Sequence, residues 1–455
     1  MRPRTTAALA AGSLARVAAR PRTTAALAAG KLARVASRLR GGGSALPGLV
    51  AEKVDPGLLR HTLGALPRGV VVVSGTNGKT TTTKMVVALL RAHGLRVFTN
   101  PTGSNFTRGV VSSMLGEIGL GGRLQADIAV VELDEAHALH FAAQVAPTHA
   151  LLLNVARDQL DRFAEIDHTA RLLTTLAEQT TVGVVLNADD SFVSRIRGHV
   201  AHGVQVRWFG VDPAIADRLP ELQEADVRFA ETDERPVLGA QDGLLLPSED
   251  GRSCTVRFPG GTDVGPLALR QRGLAAMINA TAATTMAREL LGEEFSAATA
   301  ARALEQVNPP FGRGEVIDAG GSPLELVLVK NPAGFTVALG TYGAEPVATM
   351  IAINDDYADG RDVSWLYDVS FESLRERGVA LTSGVRGWDM ALRLRYDGVE
   401  VGEVETDLDA ALERFLTGHA GEPTRIFCTY TAMMHLRRRL ADRFGLARFG
   451  EDPGA

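Results

Sequence analysis

A glycine-containing loop is the most chemically specific segment of the sequence. Residues 74–81 are Ser-Gly-Thr-Asn-Gly-Lys-Thr-Thr, and they follow four consecutive valines at 70–73. Glycines let backbone N–H groups approach phosphate oxygens, and a helix that begins at the loop adds its positive N-terminus. Lys79 would reach the outer phosphates of a nucleotide, and the Thr80 hydroxyl would coordinate Mg²⁺. The loop residues predicted to bind ATP are Gly75, Thr76, Asn77, Gly78, Lys79, Thr80 and Thr81.

The loop departs from the common phosphate-binding pattern at one position, because Val73 stands where the first glycine is expected. A glycine-rich turn without a ligand is the alternative. The buried strand before the loop and the helical pattern after it favour the nucleotide.

An acidic residue closes a second strand-like segment. Residues 127–132 are Asp-Ile-Ala-Val-Val-Glu, which is typical of a buried parallel strand. Ligands of open α/β sheets collect at the carboxyl ends of the strands, so Glu132 is predicted to hold a metal ion, with a solvated strand end as the alternative. Asp134 and Glu135 are interpreted as acids at a helix N-terminus.

The elements that must position these residues follow an α/β pattern. The length of 455 residues predicts two or three domains. We expect a central parallel sheet flanked by helices to carry the nucleotide, and a smaller C-terminal α/β domain to close over it. The predicted boundaries are a basic segment at 1–42, a central domain at 43–316 and a C-terminal domain at 317–455. Within the central domain, residues 200–265 lose the regular pattern and are predicted to be an insertion.

Charge and cysteine content exclude several functional classes. With 48 basic and 53 acidic side chains the net charge is −5, which argues against a nucleic-acid coat. Cys254 and Cys428 are the two cysteines, so a disulfide framework and a four-cysteine zinc site are excluded, and we expect no zinc. No stretch is long and apolar enough for a membrane-spanning helix, and cytoplasmic residence is predicted. Neither cysteine has the flanks of a catalytic nucleophile.

The N-terminal segment contains a duplication. Residues 2–20 and 20–38 are near copies, and no acidic residue precedes Glu52. The apolar spacing of Leu27, Leu32 and Val35 predicts an amphipathic helix. The segment has three interpretations: a helix on a lipid surface, a transit peptide, or a plain duplication or early start codon. The plain duplication or early start codon is favoured.

Several motifs resemble a known family of ligases. The string GTNGKTT resembles the ATP loop of the Mur ligases and of the related folylpolyglutamate synthetases. The resemblance implies a metal-binding role for Glu132, adenine contact for Asn279, and a γ-phosphate contact for Arg313. A packing role for Asn279 and a salt bridge from Arg313 to Glu315 are the alternatives. Gln159 stands where the family usually has a histidine, so a second metal stays an open question.

Three C-terminal strings narrow the resemblance. VKNPAGF at 329–335, the acidic stretch at 353–365 and Tyr-Thr-Ala-Met at 430–433 resemble MurT-type synthetase subunits of lipid II isoglutaminyl synthase. Many members of this group carry a zinc ribbon, which two cysteines cannot supply. The alternatives to a synthetase subunit are an amino-acid-adding ligase and a non-catalytic nucleotide-binding scaffold.

The MurT resemblance implies a reaction and a partner. The reaction is ATP- and Mg²⁺-dependent amidation of the D-glutamate α-carboxylate of lipid II through an acyl phosphate. Ammonia would come from a separate chain, a GatD-type glutamine amidotransferase subunit. The lipid II substrate would place the protein at the inner face of the membrane. An aspartate would complete the partner's active site, with Asp362 as the candidate and Asp356 and Asp359 as rivals. Lys79 and Arg313 would be the other catalytic residues.

Overall fold

Two β-sheets, each flanked by helices, organise the part of the chain described by the computed structural model. Its described residues are 21–39, 45–100, 106–119, 123–156, 166–213, 236–248, 253–343, 345 and 347–447. We call the larger sheet and its helices the first unit, and the smaller sheet and its helices the second unit. Both units confirm the predicted α/β class.

The first sheet has nine strands among these residues, in the order β2-β3-β1-β4-β5-β6-β7-β8-β9. Neighbouring strands from β2 to β7 are parallel, and β8 and β9 join antiparallel at the edge. The strands are β1 (Val70–Ser74), β2 (Val97–Thr99), β3 (Ile128–Glu132), β4 (His149–Leu152), β5 (Gly183–Asn187), β6 (Gln205–Val211), β7 (Gly243–Pro247), β8 (Cys254–Phe258) and β9 (Thr262–Leu267).

Helices cover both faces of this sheet. The helices on one face are α1 (Pro21–Leu39), α2 (Ala45–Val54), α3 (Leu58–Thr62), α5 (Thr107–Glu117), α6 (Glu135–Ala142), α7 (Ile166–Glu178) and α8 (Ser191–Arg195). The helices on the other face are α4 (Lys79–Ala92), α9 (Leu274–Leu291) and α10 (Ala297–Glu305). Successive residues of a strand point to opposite faces, so Val70 and Val72 pack on the first face and Val71 and Val73 on the second. This two-sided burial explains the unbroken valine run.

The segment at 200–265, predicted to be an insertion, extends the sheet where the structure describes it. Its residues supply β6, β7, β8 and most of β9. Residues 214–235 and 249–252 of this segment lie outside the described part of the chain.

The second sheet has six strands in the described residues, in the order β10-β11-β15-β12-β13-β14. Among these strands, β10 and β11 pair antiparallel, and the other neighbours pair parallel. The strands are β10 (Arg313–Asp318), β11 (Pro323–Leu328), β12 (Ala348–Ala352), β13 (Val379–Ser383), β14 (Val401–Glu405) and β15 (Thr424–Cys428). The helices are α11 (Pro332–Tyr342), α12 (Gly387–Tyr396), α13 (Leu408–Gly418) and α14 (Tyr430–Phe444). The sheet begins at Arg313, before the predicted boundary at 316.

The second copy of the N-terminal duplication forms α1 and packs on the first unit. Ala26 and Leu27 are fully buried, and the Thr23 hydroxyl donates to Asp55 Oδ2 at 2.8 Å. Of the three predicted apolar positions, Leu27 lies in the buried face, whereas Leu32 and Val35 are exposed. The first copy lies outside the described residues. None of the described helices is long and apolar enough to cross a membrane.

Candidate functional site

The loop between β1 and α4 is held in a conformation that needs glycine. Gly75 has φ 131° and Gly78 has φ 85°, which are both in the region that favours glycine. A Cβ atom on Gly78 would lie 2.5 Å from Asn279 Oδ1. Asn154, two residues after the end of β4, fixes the loop, because its Oδ1 accepts from Asn77 N at 2.8 Å and its carbonyl accepts from Thr76 N at 3.0 Å.

Lys79 is buried at the first turn of α4. Its Nζ donates to Gly75 O at 2.6 Å and lies 3.2 Å from Asp134 Oδ1 and 3.4 Å from Glu135 Oε1. Burial opposes ionisation of Asp134, but Lys79 and Lys330 outweigh it and lower the pKa of that carboxyl to about 2. Burial raises the pKa of Glu135. The interpretation of both acids as helix N-terminal residues holds for their position but misses their pairing with Lys79.

Thr80 and Glu132 meet at the carboxyl end of β3. The Thr80 hydroxyl donates to Glu132 Oε1 at 2.7 Å, and both side chains are buried. Asn100 holds the backbone of Glu132 through two hydrogen bonds, each of 2.9 Å. A hydroxyl and a carboxylate oxygen at a phosphate loop are the donors that Mg²⁺ prefers, so the residues fit this ion. Gln159, on which a second metal depended, lies outside the described residues.

The second unit reaches the loop through the VKNPAGF segment. Asn331 Nδ2 donates to Asn77 Oδ1 at 3.1 Å, while Asn331 Oδ1 caps α11 by accepting from Gly334 N at 2.7 Å. Lys330 lines the cleft between the units, and its charge lowers the pKa of Asp134. Sequence reasoning used this segment only as a family marker and missed Lys330 and Asn331 as site residues. The available signal was a lysine and a helix-capping asparagine just after a buried strand.

Arg313 also lines the cleft, and the predicted alternative of a salt bridge to Glu315 is wrong. Glu315 binds Arg437 instead, with Nε and Nη2 2.9–3.0 Å from its carboxylate oxygens, and it accepts from Gly312 N. The described residues give Arg313 no ion pair, and burial lowers its pKa. An arginine always stays protonated, so a guanidinium in this position is ready for an anionic ligand.

Beside the loop, the cleft between the units has a wall of small and apolar side chains. The wall includes Ala275, Ile278, Ala333, Val337 and Thr341. Asn279 and Gln271 are polar groups in the same lining, and adenine contact by Asn279 stays a prediction. Gln271 Nε2 donates to Arg313 O at 3.0 Å, whereas its buried Oε1 accepts no hydrogen bond from the described residues. A flat base with an exocyclic amino group matches such a lining.

The three candidate aspartates of the C-terminal loop differ in exposure. Asp359 is buried and accepts from Thr431 N at 2.8 Å and from the Thr431 hydroxyl, and burial raises its pKa. Asp362 is exposed, and a hydrogen bond from Ser364 N at 2.8 Å lowers its pKa. Asp356 is also exposed. Asp359 is therefore engaged inside the second unit, and Asp356 and Asp362 face outward.

Both cysteines lie in strands and are buried. Burial raises the pKa of the Cys254 thiol to about 12, and it raises the pKa of the Cys428 thiol as well. A nucleophilic cysteine needs a lowered pKa, so neither thiol is suited to glutamine hydrolysis.

Two family models match the chain. The Mur ligase middle domain matches residues 73–236, and the MurT ligase C-terminal domain matches residues 328–433. The first match covers the phosphate loop and Glu132. The second covers Lys330, Asn331 and the acidic loop.

Relatives extend the similarity over most of the chain. The MurT subunit of lipid II isoglutaminyl synthase (glutamine-hydrolyzing) from Streptococcus pneumoniae is 30% identical over 89% of this chain and 93% of the relative. The MurT subunit from Staphylococcus aureus strain COL is 31% identical over 79% and 84%.

Solved structures agree on the fold. MurF from Acinetobacter baumannii aligns with a TM-score of 0.63 at 19% identity, over 88% of this chain and 81% of that one. MurF from Thermotoga maritima in complex with ADP aligns with a TM-score of 0.60 at 18% identity, over 87% and 85%. The chain belongs to the MurT family, has the Mur ligase fold, and is an ATP-dependent ligase.

Proposed function

We propose that the chain is the synthetase subunit of a lipid II isoglutaminyl synthase. It uses ATP to amidate the α-carboxylate of D-glutamate in the lipid II stem peptide, which gives D-isoglutamine. The observation that carries the proposal is the convergence of cationic side chains from both units on the phosphate loop and the cleft beside it. Lys79 lies at the loop of the first unit, and Arg313 and Lys330 of the second unit line the cleft. The charges of Lys79 and Lys330 both act on Asp134.

This convergence suits the transfer of a phosphoryl group. Negative charge spreads over the transferring group, and fixed cations lower the barrier by stabilising that charge. Lys79 is already aligned along the loop by its bond to Gly75 O. Arg313 can offer two parallel N–H donors, and Lys330 brings a further positive charge from the same unit. Asp134 and Glu135 hold Lys79 in place until the phosphates arrive.

The residues also fit the two groups that accompany the phosphates. Thr80 and Glu132 would hold Mg²⁺, which supplies charge neutralisation at the phosphate oxygens. Gln271 Oε1 would accept a hydrogen bond from the edge of adenine, and the Asn279 side chain would donate one to it. The apolar wall would pack on the ring. The backbone N–H groups of residues 79–81, in the first turn of α4, supply donors at the N-terminus of that helix.

The proposed chemistry has two steps. An α-carboxylate oxygen attacks the γ-phosphorus of ATP, the bond to the β-phosphate oxygen breaks, and an acyl phosphate and ADP form. Ammonia then adds to the carbonyl carbon, the bond to the phosphate oxygen breaks, and the departing phosphate takes one proton from the nitrogen. Activation is needed because a free carboxylate is a poor electrophile, whereas phosphate is a good leaving group.

The nitrogen source is assigned to a second polypeptide. The names of the relatives describe one subunit of a glutamine-hydrolysing synthase. Because Cys254 and Cys428 are buried, this chain has no thiol suited to hydrolyse glutamine. A GatD-type glutamine amidotransferase would supply ammonia, and Asp362 would complete its catalytic set. Lipid II would place the complex against the inner face of the membrane.

Product analysis tests the proposal. The purified chain is incubated with ATP, Mg²⁺, lipid II and ammonium chloride, and the stem peptide is examined by mass spectrometry. We expect one carboxylate to become an amide, and Lys79→Ala to abolish the conversion. The proposal would be contradicted if lipid II stayed unmodified in this assay and also in a second assay with glutamine and a co-expressed glutaminase subunit. Addition of an amino acid instead of ammonia would identify an amino-acid-adding ligase. If the complex with the partner still amidates lipid II when this chain carries Lys79→Ala, the chain is a non-catalytic scaffold.

A further inference from the structure

The Tyr-Thr-Ala-Met motif at 430–433 forms the first turn of α14, and the ATP and Mg²⁺ sites leave its tyrosine without a role. The strands β11 and β15 are parallel neighbours, with Leu328 opposite Cys428 in the register. The two strands therefore end at the same edge of the second sheet. Lys330 and Tyr430 each lie two residues beyond that point, so α14 begins beside the segment through which the second unit reaches the phosphate loop.

The first turn of α14 also packs closely on the residue before Arg313. Gly312 has φ 68°, and a Cβ atom on it would lie 2.5 Å from Met433 Sδ. Tyr430 and Met433 are three residues apart in the helix, so they share a face. Burial lowers the pKa of Arg313, and the nearby charges of Glu132 and Tyr430 oppose that shift. Arg313 thus connects Tyr430 with the residues that fit Mg²⁺.

Tyr430 has an anchored side chain and an unengaged hydroxyl. The side chain is half-buried and packs against the part of the second unit's core that contains Met433 and Leu436. Within the described part of the chain the hydroxyl has no hydrogen-bond partner, and the Arg313 guanidinium has no ion pair. A tyrosine hydroxyl that is taken out of water usually finds a partner. Two donors without partners at the junction of the units indicate a place for a ligand that carries oxygen acceptors.

The amide-forming step creates a charge that the phosphate-binding cations do not address. When ammonia adds to the carbonyl carbon of the acyl phosphate, an electron pair moves to the carbonyl oxygen, which becomes negative. Fixed hydrogen-bond donors at such an oxygen make one of the largest contributions to acyl-transfer catalysis. A phenol suits this task. Burial raises the pKa of Tyr430 against the opposing charge of Arg313, so the hydroxyl keeps its proton and remains a donor.

We propose that Tyr430 is a catalytic residue of the amide-forming step, in which its hydroxyl donates a hydrogen bond to the acyl oxygen as nitrogen adds. The nitrogen lone pair forms the new bond to the carbonyl carbon, and the oxygen holds the displaced electron pair. That pair returns when the bond to the phosphate oxygen breaks, and Tyr430 keeps its proton throughout. This inference rests on the proposed function and adds a residue to its second step.

Removal of the hydroxyl alone tests the inference. Tyr430→Phe keeps the ring, and Tyr396→Phe removes the hydroxyl of an exposed tyrosine elsewhere in the second unit. Each full-length variant is mixed with ATP, Mg²⁺, lipid II and ammonium chloride, and ADP and the amide are measured separately in a rapid-quench single turnover. We expect Tyr430→Phe to form the amide at least about 10-fold more slowly than the wild type, with ADP formation within about 3-fold of the wild-type rate. Tyr396→Phe should match the wild type in both.

Other outcomes would overturn the inference. A smaller loss of amide formation in Tyr430→Phe would show that its hydroxyl does not assist the addition of nitrogen. An equal loss of ADP and amide formation would assign the hydroxyl to phosphoryl transfer or to substrate binding instead. Lys79→Ala should lose both products together. A wild-type chain that forms neither ADP nor the amide would refute the proposed function rather than the role of Tyr430.

Discussion

The phosphate loop and the acidic segment at 355–372 both lie at the carboxyl edge of a mainly parallel sheet, but they use charge differently. At the loop, Lys79 pairs with two carboxylates and Thr80 bonds Glu132, so the charged groups are buried and mutually oriented. In the acidic segment Asp359 is turned inward, whereas Asp362 is exposed. The first arrangement suits a small anionic ligand in a cleft. The second suits a macromolecular partner.

The largest effect is expected from Lys79→Ala at the loop. Removing one preorganised cation from a phosphoryl-transfer site should lower kcat by about 100- to 1,000-fold. The measurement is ammonium-dependent amide formation at saturating ATP. Lys84→Ala, in the same helix α4, is the matched control and should keep near wild-type activity. A Lys79→Ala enzyme with more than a tenth of wild-type kcat would weaken the assignment.

Glu132→Gln should sharpen the metal assignment. The amide keeps the shape of the side chain but removes the charge that holds the cation, so the Mg²⁺ concentration for half-maximal activity should rise about 10- to 100-fold. Chelation of Mg²⁺ should stop the wild-type reaction. The exposed Glu294→Gln serves as the control. An unchanged Mg²⁺ requirement in Glu132→Gln would place the metal elsewhere.

Substitutions in the acidic segment should affect glutamine-dependent amidation but not ammonium-dependent amidation. Asp362→Asn is expected to lower glutamine-dependent amidation by at least about 10-fold, because an amide cannot replace the carboxylate of a catalytic triad. Ammonium-dependent amidation should stay at the wild-type rate. Asp356→Asn is the comparison, since Asp356 is also exposed and lies in the same segment. If Asp356→Asn alone shows the loss, the roles of the two residues are exchanged.

The smallest expected effect is an opposite pH dependence of stability in the two regions. The pKa of Asp134 is lowered to about 2, so its stabilising contribution is present above about pH 4 and is lost as pH falls toward 2. The pKa of Asp359 is raised by burial, so its contribution is present at low pH and is lost as pH rises through the raised value. Asp134→Asn should therefore cost about 2 kcal/mol at pH 7 and less at pH 3.5.

Urea unfolding of the wild type, Asp134→Asn and Asp359→Asn at the two pH values measures this difference. Relative to the wild type, Asp359→Asn should become more stable as the pH rises, because the amide imitates the protonated carboxyl. Parallel pH profiles for the two variants would contradict the contrast between the regions.

Local sequence patterns were sufficient for the first unit's nucleotide edge. The valine run, the glycine positions and the acid at the end of β3 each follow from neighbours in the sequence, and the structure brings Lys79, Thr80 and Glu132 together. The pairing of Lys79 with Asp134 and Glu135 was missed because those acids also satisfy the ordinary preference for a helix N-terminus.

Contacts between distant parts of the chain could not be predicted. The bond from Asn331 to Asn77 joins residues 254 positions apart, and no periodicity indicates it. Nor could sequence spacing show that Asp359 is buried and Asp362 is exposed, because the local course of the loop decides which carboxylate faces inward.

The buried face of α1 was predicted only in part, for a physical reason. Apolar spacing pointed to Leu27, Leu32 and Val35, and of these only Leu27 is buried. A Cβ atom on Gly30 would lie 2.6 Å from Leu115, so the helix approaches its neighbour closely through small residues and leaves Leu32 and Val35 outside.

Oxygen-18 transfer tests the central claim, carboxylate activation by ATP, most directly. Lipid II labelled with oxygen-18 in the D-glutamate α-carboxylate is amidated by the purified chain with ATP, Mg²⁺ and ammonium chloride, and the released inorganic phosphate is analysed by mass spectrometry. An acyl phosphate intermediate requires one labelled oxygen to appear in each phosphate that accompanies an amide. Amide formation with unlabelled phosphate would contradict this mechanism.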